Sequence, residues 1–266
     1  MRGRDRIEAL LGGALAGFSS GLFGVGGGLL LVPILTRRFH CTQHQAHGTS
    51  LAVIGLTALA GVTVYAWHGH VQWATAAVVA VASAITARFG ARMTTRFSSV
   101  GLSRAFAVFL VLVAIRLLLK TPEPSPISFH HGWLGVAIDL GLGAAAGLVA
   151  GFMGVGGGIV AVPVFTLALG MTQQAAQGTS LAMIMVSGPA GAIEHARHGH
   201  VVGALVPALA IGSVLGAPLS SWIAQLLPHG VLVRSFAVFL LLNAVLTWLR
   251  PPRQSRNASS ESGGVE

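Results

Sequence analysis

Apolar residues gather into eight stretches, at roughly 8–38, 48–66, 71–89, 104–120, 133–169, 178–196, 201–224 and 231–249, separated by short polar or basic turns. A helix that spans a bilayer needs about 20 such residues. Six stretches have the length of one spanning helix, 104–120 being the shortest. The other two, 8–38 and 133–169, are too long for a single span. Each is interrupted at the same place by Gly-Val-Gly-Gly-Gly, at 24–28 and 154–158. Glycine in a helix costs about 1 kcal/mol relative to alanine, so four within five positions predict a helix, an unwound loop and a second half-helix. Pro33 and Pro163 follow each cluster by five residues. They are expected in the first turn of the half-helix, where no N–H is needed.

Both breaks belong to a repeat. Gly17, Gly21, Val32, Pro33 and Thr36 recur as Gly147, Gly151, Val162, Pro163 and Thr166. Gly48-Thr49-Ser50-Leu51-Ala52 recurs as Gly178-Thr179-Ser180-Leu181-Ala182, and His68-Gly69-His70-Val71 as His198-Gly199-His200-Val201. Phe106 to Leu110 recurs as Phe236 to Leu240. One ancestral half is used twice. The expected organisation is a first half at 1–120, a Pro-rich linker at 121–130, a second half at 131–250 and a disordered polar tail at 251–266. A repeated apolar half with a broken helix at corresponding places is the mark of a transporter and of its binding site.

Composition sharpens the class. Charged residues are 9% and hydrophobic residues 53% of the 266-residue chain, against about 25% charged in soluble domains. So few charges do not solvate a globule of this size, so the expected fold is an all-α polytopic integral membrane protein in contact with the lipid bilayer. The net charge of +9 comes from short arginine clusters between apolar stretches. No nucleic-acid recognition motif accompanies it, so it is read as a topology signal and a contact with anionic lipid. The basic start at 1–6 imitates a signal peptide, but the apolar run after it belongs to the repeat and is expected to be retained.

If all eight stretches cross the membrane, the 16 lysines and arginines divide nine to seven between its sides, which is no bias. If 8–38 and 133–169 re-enter, Arg37, Arg38, Arg88, Arg92, Arg96 and Arg104 join the cytoplasmic side while Arg116 and Lys120 leave it, and the division becomes 13 to 3. Cytoplasmic loops are enriched in these residues. Three crossings per half then invert one half relative to the other, and this inverted-repeat arrangement is preferred.

An unwound glycine loop presents several backbone N–H groups together, at the positive end of a half-helix, and such an arrangement suits an anion. The candidate substrate-binding residues are Gly24, Gly26, Gly27, Gly28, Gly154, Gly156, Gly157 and Gly158. Thr49, Ser50, Thr179 and Ser180 join them, because hydroxyls donate to an oxyanion without carrying charge. Helix packing by the glycines and N-capping by the hydroxyls are the competing structural roles. Gln43 and Gln173 are read as loop amides. Asp139 and Glu194 lie in or near apolar stretches and are the candidates for proton coupling. His68, His70, His198 and His200 leave a metal-permease reading open, although no Cys, Asp or Glu cluster joins them, so no metal site is assigned. Cys41 is the lone cysteine and the only reactive group for a membrane enzyme. The glycine run lacks the Lys-Ser/Thr of a phosphate-binding loop. No catalytic site and no cofactor are expected.

These motifs resemble the sulfite exporter TauE/SafE family, also called the 4-toluene sulfonate uptake permease family. The resemblance rests on the glycine run followed by Val-Pro, on the Gly-Thr-Ser step and on the Gly-x-Val step, all of them doubled, and it covers about residues 8–249. It implies a multi-pass inner-membrane permease for sulfite, sulfonates or related small anions, using the glycine and hydroxyl positions named above. Many members place an acidic residue and Trp after the Gly-x-Val step. Here Gln72-Trp73 and Val202-Gly203 stand there, so a role for such an acid does not carry over. Small carboxylates remain an alternative cargo. Direction, coupling ion and homo-oligomeric state are left open.

Overall fold

The computed structural model describes residues 3–93, 99–119, 132–153 and 157–249. The linker and the tail expected from sequence lie outside them. Among the described residues there are ten helices and no strand. The first half holds α1 (Gly3–Phe23), α2 (Gly28–Arg38), α3 (Gln43–Trp67), α4 (Trp73–Met93) and α5 (Ser99–Leu119). The second holds α6 (Trp133–Met153), α7 (Gly158–Leu167), α8 (Gln173–Arg197), α9 (Val206–Leu226) and α10 (His229–Trp248). Three of these, α3, α9 and α10, are long and apolar enough to cross a membrane by length and composition.

Two local expectations need correction. Pro33 and Pro163 are the sixth residues of α2 and α7, not first-turn residues. Each half-helix begins directly at the last glycine of its cluster, so the proline falls in the second turn. Thr49-Ser50 and Thr179-Ser180 do not open their helices either. α3 and α8 start six residues earlier, at Gln43 and Gln173, with Thr42 and Thr172 as the N-caps. The Thr42 hydroxyl accepts from the Gln45 N–H and the Gln45 side chain accepts from the Thr42 N–H, which is a complete capping box. N-capping therefore does not occupy Thr49, Ser50, Thr179 or Ser180.

The halves are woven through each other. α1 lies on α9 with almost no side chain between them: a Cβ on Gly13, Gly17 or Gly21 would stand 2.1–2.2 Å from the carbonyl oxygens of Leu209, Ser213 and Ala217. α6 lies on α4 in the same register, with Gly143 against Val79 and Gly147 against Ser83. Each of these pairs is the other shifted by one repeat. α3 and α8 cross antiparallel, with Gly48 against His200, Gly55 against Pro189 and Gly178 against His70.

α2 doubles back along α1. Gly27 lies against Ala16, Ile34 against Gly12, and Arg38 pairs with Glu8. Outward faces are apolar, with Leu11, Leu15, Leu112, Leu215 and Leu242 among the exposed residues. All five tryptophans are exposed on or near helix ends, at Trp67, Trp73, Trp133, Trp222 and Trp248. Tryptophan favours that position at a membrane–water interface. The chain is thus a membrane-embedded helical protein.

Candidate functional site

The first glycine loop is held by positive backbone angles that side-chain-bearing residues resist. Gly24, Gly26 and Gly27 have φ of 70°, 77° and 73°. The Gly24 N–H still donates to Ser20 O at 2.7 Å and so finishes α1, while the Gly27 carbonyl accepts from Leu30 and Leu31 and so starts α2. Between these bonds the N–H groups of Val25, Gly26, Gly27 and Gly28 have no partner among the described residues, and all four residues are buried. Buried backbone donors are nearly always paired. Four such donors together, at a helix start that carries roughly half a positive charge, are an arrangement suited to an anion.

The second cluster comes to meet the first. Gly157, with φ of 67°, accepts from Val160 and Ala161 ahead of α7. A Cβ on Gly158 would stand 2.9 Å from Val25 Cα and 3.0 Å from the Gly24 carbonyl. The start of α7 therefore touches the loop from which α2 starts. Gly154 and Gly156 lie outside the described residues.

Among the hydroxyls, Ser180 reaches the loop, donating to Gly24 O at 2.7 Å. Ser50, its counterpart, is buried. Thr49 and Thr179 each accept a bond from the other half. Thr49 Oγ1 accepts from the Val202 N–H at 2.9 Å and Thr179 Oγ1 accepts from the Gln72 N–H at 3.1 Å. These two reciprocal bonds join the halves. Gln173 is fully buried beside Thr166, not a loop amide, whereas Gln43 is exposed.

Other polar groups surround the first loop. Gln177 lies against Gly24, and its amide oxygen is 2.9 Å from Tyr65 Oη, which is also 2.8 Å from Gly21 O. Ser20, Tyr65 and Gln177 are all fully buried or nearly so. Motif reading overlooked them because they lie off the repeat, their counterparts being Ala150, His195 and His47. That departure from symmetry was the available signal.

The acids stand apart from the loops. Asp139 is buried in the second turn of α6, at the end away from the second glycine cluster. Glu194 is exposed in the last turn of α8 and pairs with Arg197 at 3.7 Å. Histidines gather at the junction of the halves: His44 stacks on His200 with ring centroids 5.1 Å apart, and His195 and His198 flank His200 at 5.8 and 6.0 Å. Among the described residues no three His, Cys, Asp or Glu side chains are arranged to hold a metal ion.

Cys41 is buried between α2 and α3, and burial pushes its thiol up from its ordinary value. The thiolate is the reactive form, so at pH 7 a maleimide should modify Cys41 at least about tenfold more slowly than a free thiol. Cys41→Ser should leave transport unchanged. Loss of flux in that variant would bring the thiol into the mechanism.

A family model described as "Sulfite exporter TauE/SafE" matches residues 2–117 and 140–265. A "Probable membrane transporter protein" of Xylella fastidiosa is 28% identical over 245 residues, covering 90% of this chain and 93% of the relative. Another so named, of Haemophilus influenzae, is 29% identical over 275 residues, covering 92% and 98%. "Probable membrane transporter protein YunE" of Bacillus subtilis is 28% identical over 234 residues, covering 78% and 86%. No solved structure matches the chain significantly.

Proposed function

This chain belongs to the sulfite exporter TauE/SafE family and is a membrane transporter, and we propose that it is a secondary permease of the cell inner membrane for small anions such as sulfite and sulfonates. The single observation that carries this reading is the row of buried, unpartnered N–H groups from Val25 to Gly28, met by the start of α7 at Gly158. The substrate's oxygens accept these bonds, and Ser180 fixes the loop by holding the Gly24 carbonyl. By the sequence repeat, Gly154, Gly156, Gly157 and Gly158 are assigned the same role on the second side, with Ser50 as the counterpart of Ser180. Thr49 and Thr179 take part by locking the two halves.

Both glycine-broken segments re-enter the membrane as hairpins, and the halves at 1–120 and 131–250 form an inverted repeat. The return of Arg38 to Glu8 and the 13-to-3 division of basic residues support this topology. Rocking of one half against the other would expose the site to either side in turn. In a Cys41→Ser background, Thr36→Cys should be protected from an impermeant maleimide added to intact cells and labelled in inverted vesicles. Labelling from outside would contradict the re-entrant hairpin.

Binding is tested on the purified protein in detergent. A ligand that binds the native state but not the unfolded one raises the unfolding midpoint, by an amount that grows with the logarithm of its concentration relative to Kd. Millimolar sulfite should raise the midpoint and equal chloride should not. An equal response to both, or a response to divalent metal alone, would overturn the anion reading.

A further inference from the structure

Among its described residues the first loop's surroundings hold helix ends and neutral donors but no cation. Among the side chains whose burial is described, no Lys, Arg or His is buried, and the one buried charged side chain, Asp139, stands at the end of α6 away from its glycine cluster. The positive potential available to a bound anion is that of two half-helix starts, at Gly28 and Gly158, each roughly half a charge. Together they offer about one charge, in a place from which water is excluded.

Neutral polar groups nearby remain unspent. Ser20 Oγ is fully buried without a partner, on the residue whose carbonyl receives the Gly24 N–H. Gln177 runs from beside Gly24 to the Tyr65 hydroxyl, and its amide nitrogen is buried without a partner. Tyr65 carries one proton for two oxygen neighbours, Gly21 O and Gln177 Oε1. Turning the amide about would let its nitrogen donate to Tyr65 and Tyr65 donate to Gly21. Whichever way the amide lies, one of its two polar atoms is left over at the Tyr65 end, close to Gly21 at the end of α1. These residues contribute hydrogen bonds and no charge.

We propose that this neutral, helix-end site takes monoanions and rejects dianions, with Ser20 and Gln177 as specificity-determining residues. The inference rests on the anion reading above. The cost of withdrawing an ion from water grows as the square of its charge, whereas its attraction to fixed dipoles grows only in proportion to the charge. Doubling the charge therefore quadruples the penalty and merely doubles the gain. A buried cation would change that balance, and none stands among the described residues. The fitting ligands are sulfonates and the singly charged form of sulfite, and sulfate is excluded by its charge despite its similar size.

Methanesulfonate and sulfate form a nearly isosteric pair that differs in charge. They are compared as competitors of labelled sulfite uptake in proteoliposomes holding the full chain, and as stabilisers in thermal unfolding. Methanesulfonate should act at a concentration at least tenfold lower than sulfate. Ser20→Ala and Gln177→Leu should each weaken methanesulfonate at least severalfold while leaving the ligand-free unfolding midpoint near wild type. Sulfate equal to or better than methanesulfonate would overturn the monoanion proposal and leave the anion site standing. Unchanged methanesulfonate affinity in both folded variants would remove Ser20 and Gln177 from the site. If neither anion competes or stabilises, the anion reading itself fails, and the proposal with it.

Discussion

Gly26→Ala should insert and fold, yet carry sulfite at least about tenfold more slowly than wild type. The added methyl meets only the side chain of Ile184, at 3.2 Å, so space does not forbid it. The backbone does: φ at Gly26 is 77°, and the left-handed conformation costs an L-residue about 1–2 kcal/mol. The cheapest relief is rotation of the loop, which turns the N–H groups of Gly26 and Gly27 away from the positions they hold together. About 1.4 kcal/mol of lost binding is already tenfold. Gly27 is a poorer probe. There φ is 73° and a Cβ would stand 2.7 Å from the Ala16 carbonyl, so Gly27→Leu would push α2 off α1 as well as abolish flux. Size-exclusion behaviour and unfolding midpoint separate the two effects. Wild-type flux from a folded Gly26→Ala protein would exclude the loop as the substrate's seat.

Gly17→Leu should have the largest effect on stability. At Gly17 even a methyl would lie 2.2 Å from the Ser213 carbonyl and 2.6 Å from its Cα. The obstacle is backbone, so no rotamer change relieves it. α1 must leave α9, and overpacking on this scale costs at least about 3 kcal/mol. Gly147→Leu should behave alike, because its Cβ would meet Ser83 at 2.5 Å in the symmetric interface. Gly141 is the control, since nothing lies within 4 Å of its would-be Cβ. Gly141→Ala should be neutral or stabilising by up to about 1 kcal/mol. Unfolding of the purified variants measures all three, and a Gly17→Leu protein as stable as wild type would refute the close α1–α9 contact.

What the sequence disclosed was what repeats or what breaks a helix locally. The glycine clusters stop α1 and α6 and start α2 and α7, because four glycines within five positions cannot hold a helix against their own entropy. The starts of α3 and α8 were hidden, since their first turns are polar and hydropathy ignores them. The Thr42-x-x-Gln45 capping box was nonetheless there to be read. Thr49 and Thr179 stood out because they recur. They recur because a two-fold contact needs each half to supply the same hydroxyl. Ser20, Tyr65 and Gln177 were least legible. They come from three helices distant in sequence, and only the folding back of α8 onto α1 and α3 brings them to one loop.

Flux of labelled sulfite into proteoliposomes containing wild-type protein and Gly26→Ala tests the central claim most directly. Saturable uptake by wild type, lost in the variant while the variant stays folded, is the expected result. Absence of sulfite uptake together with clear divalent-metal uptake would contradict it and return attention to His44, His195, His198 and His200.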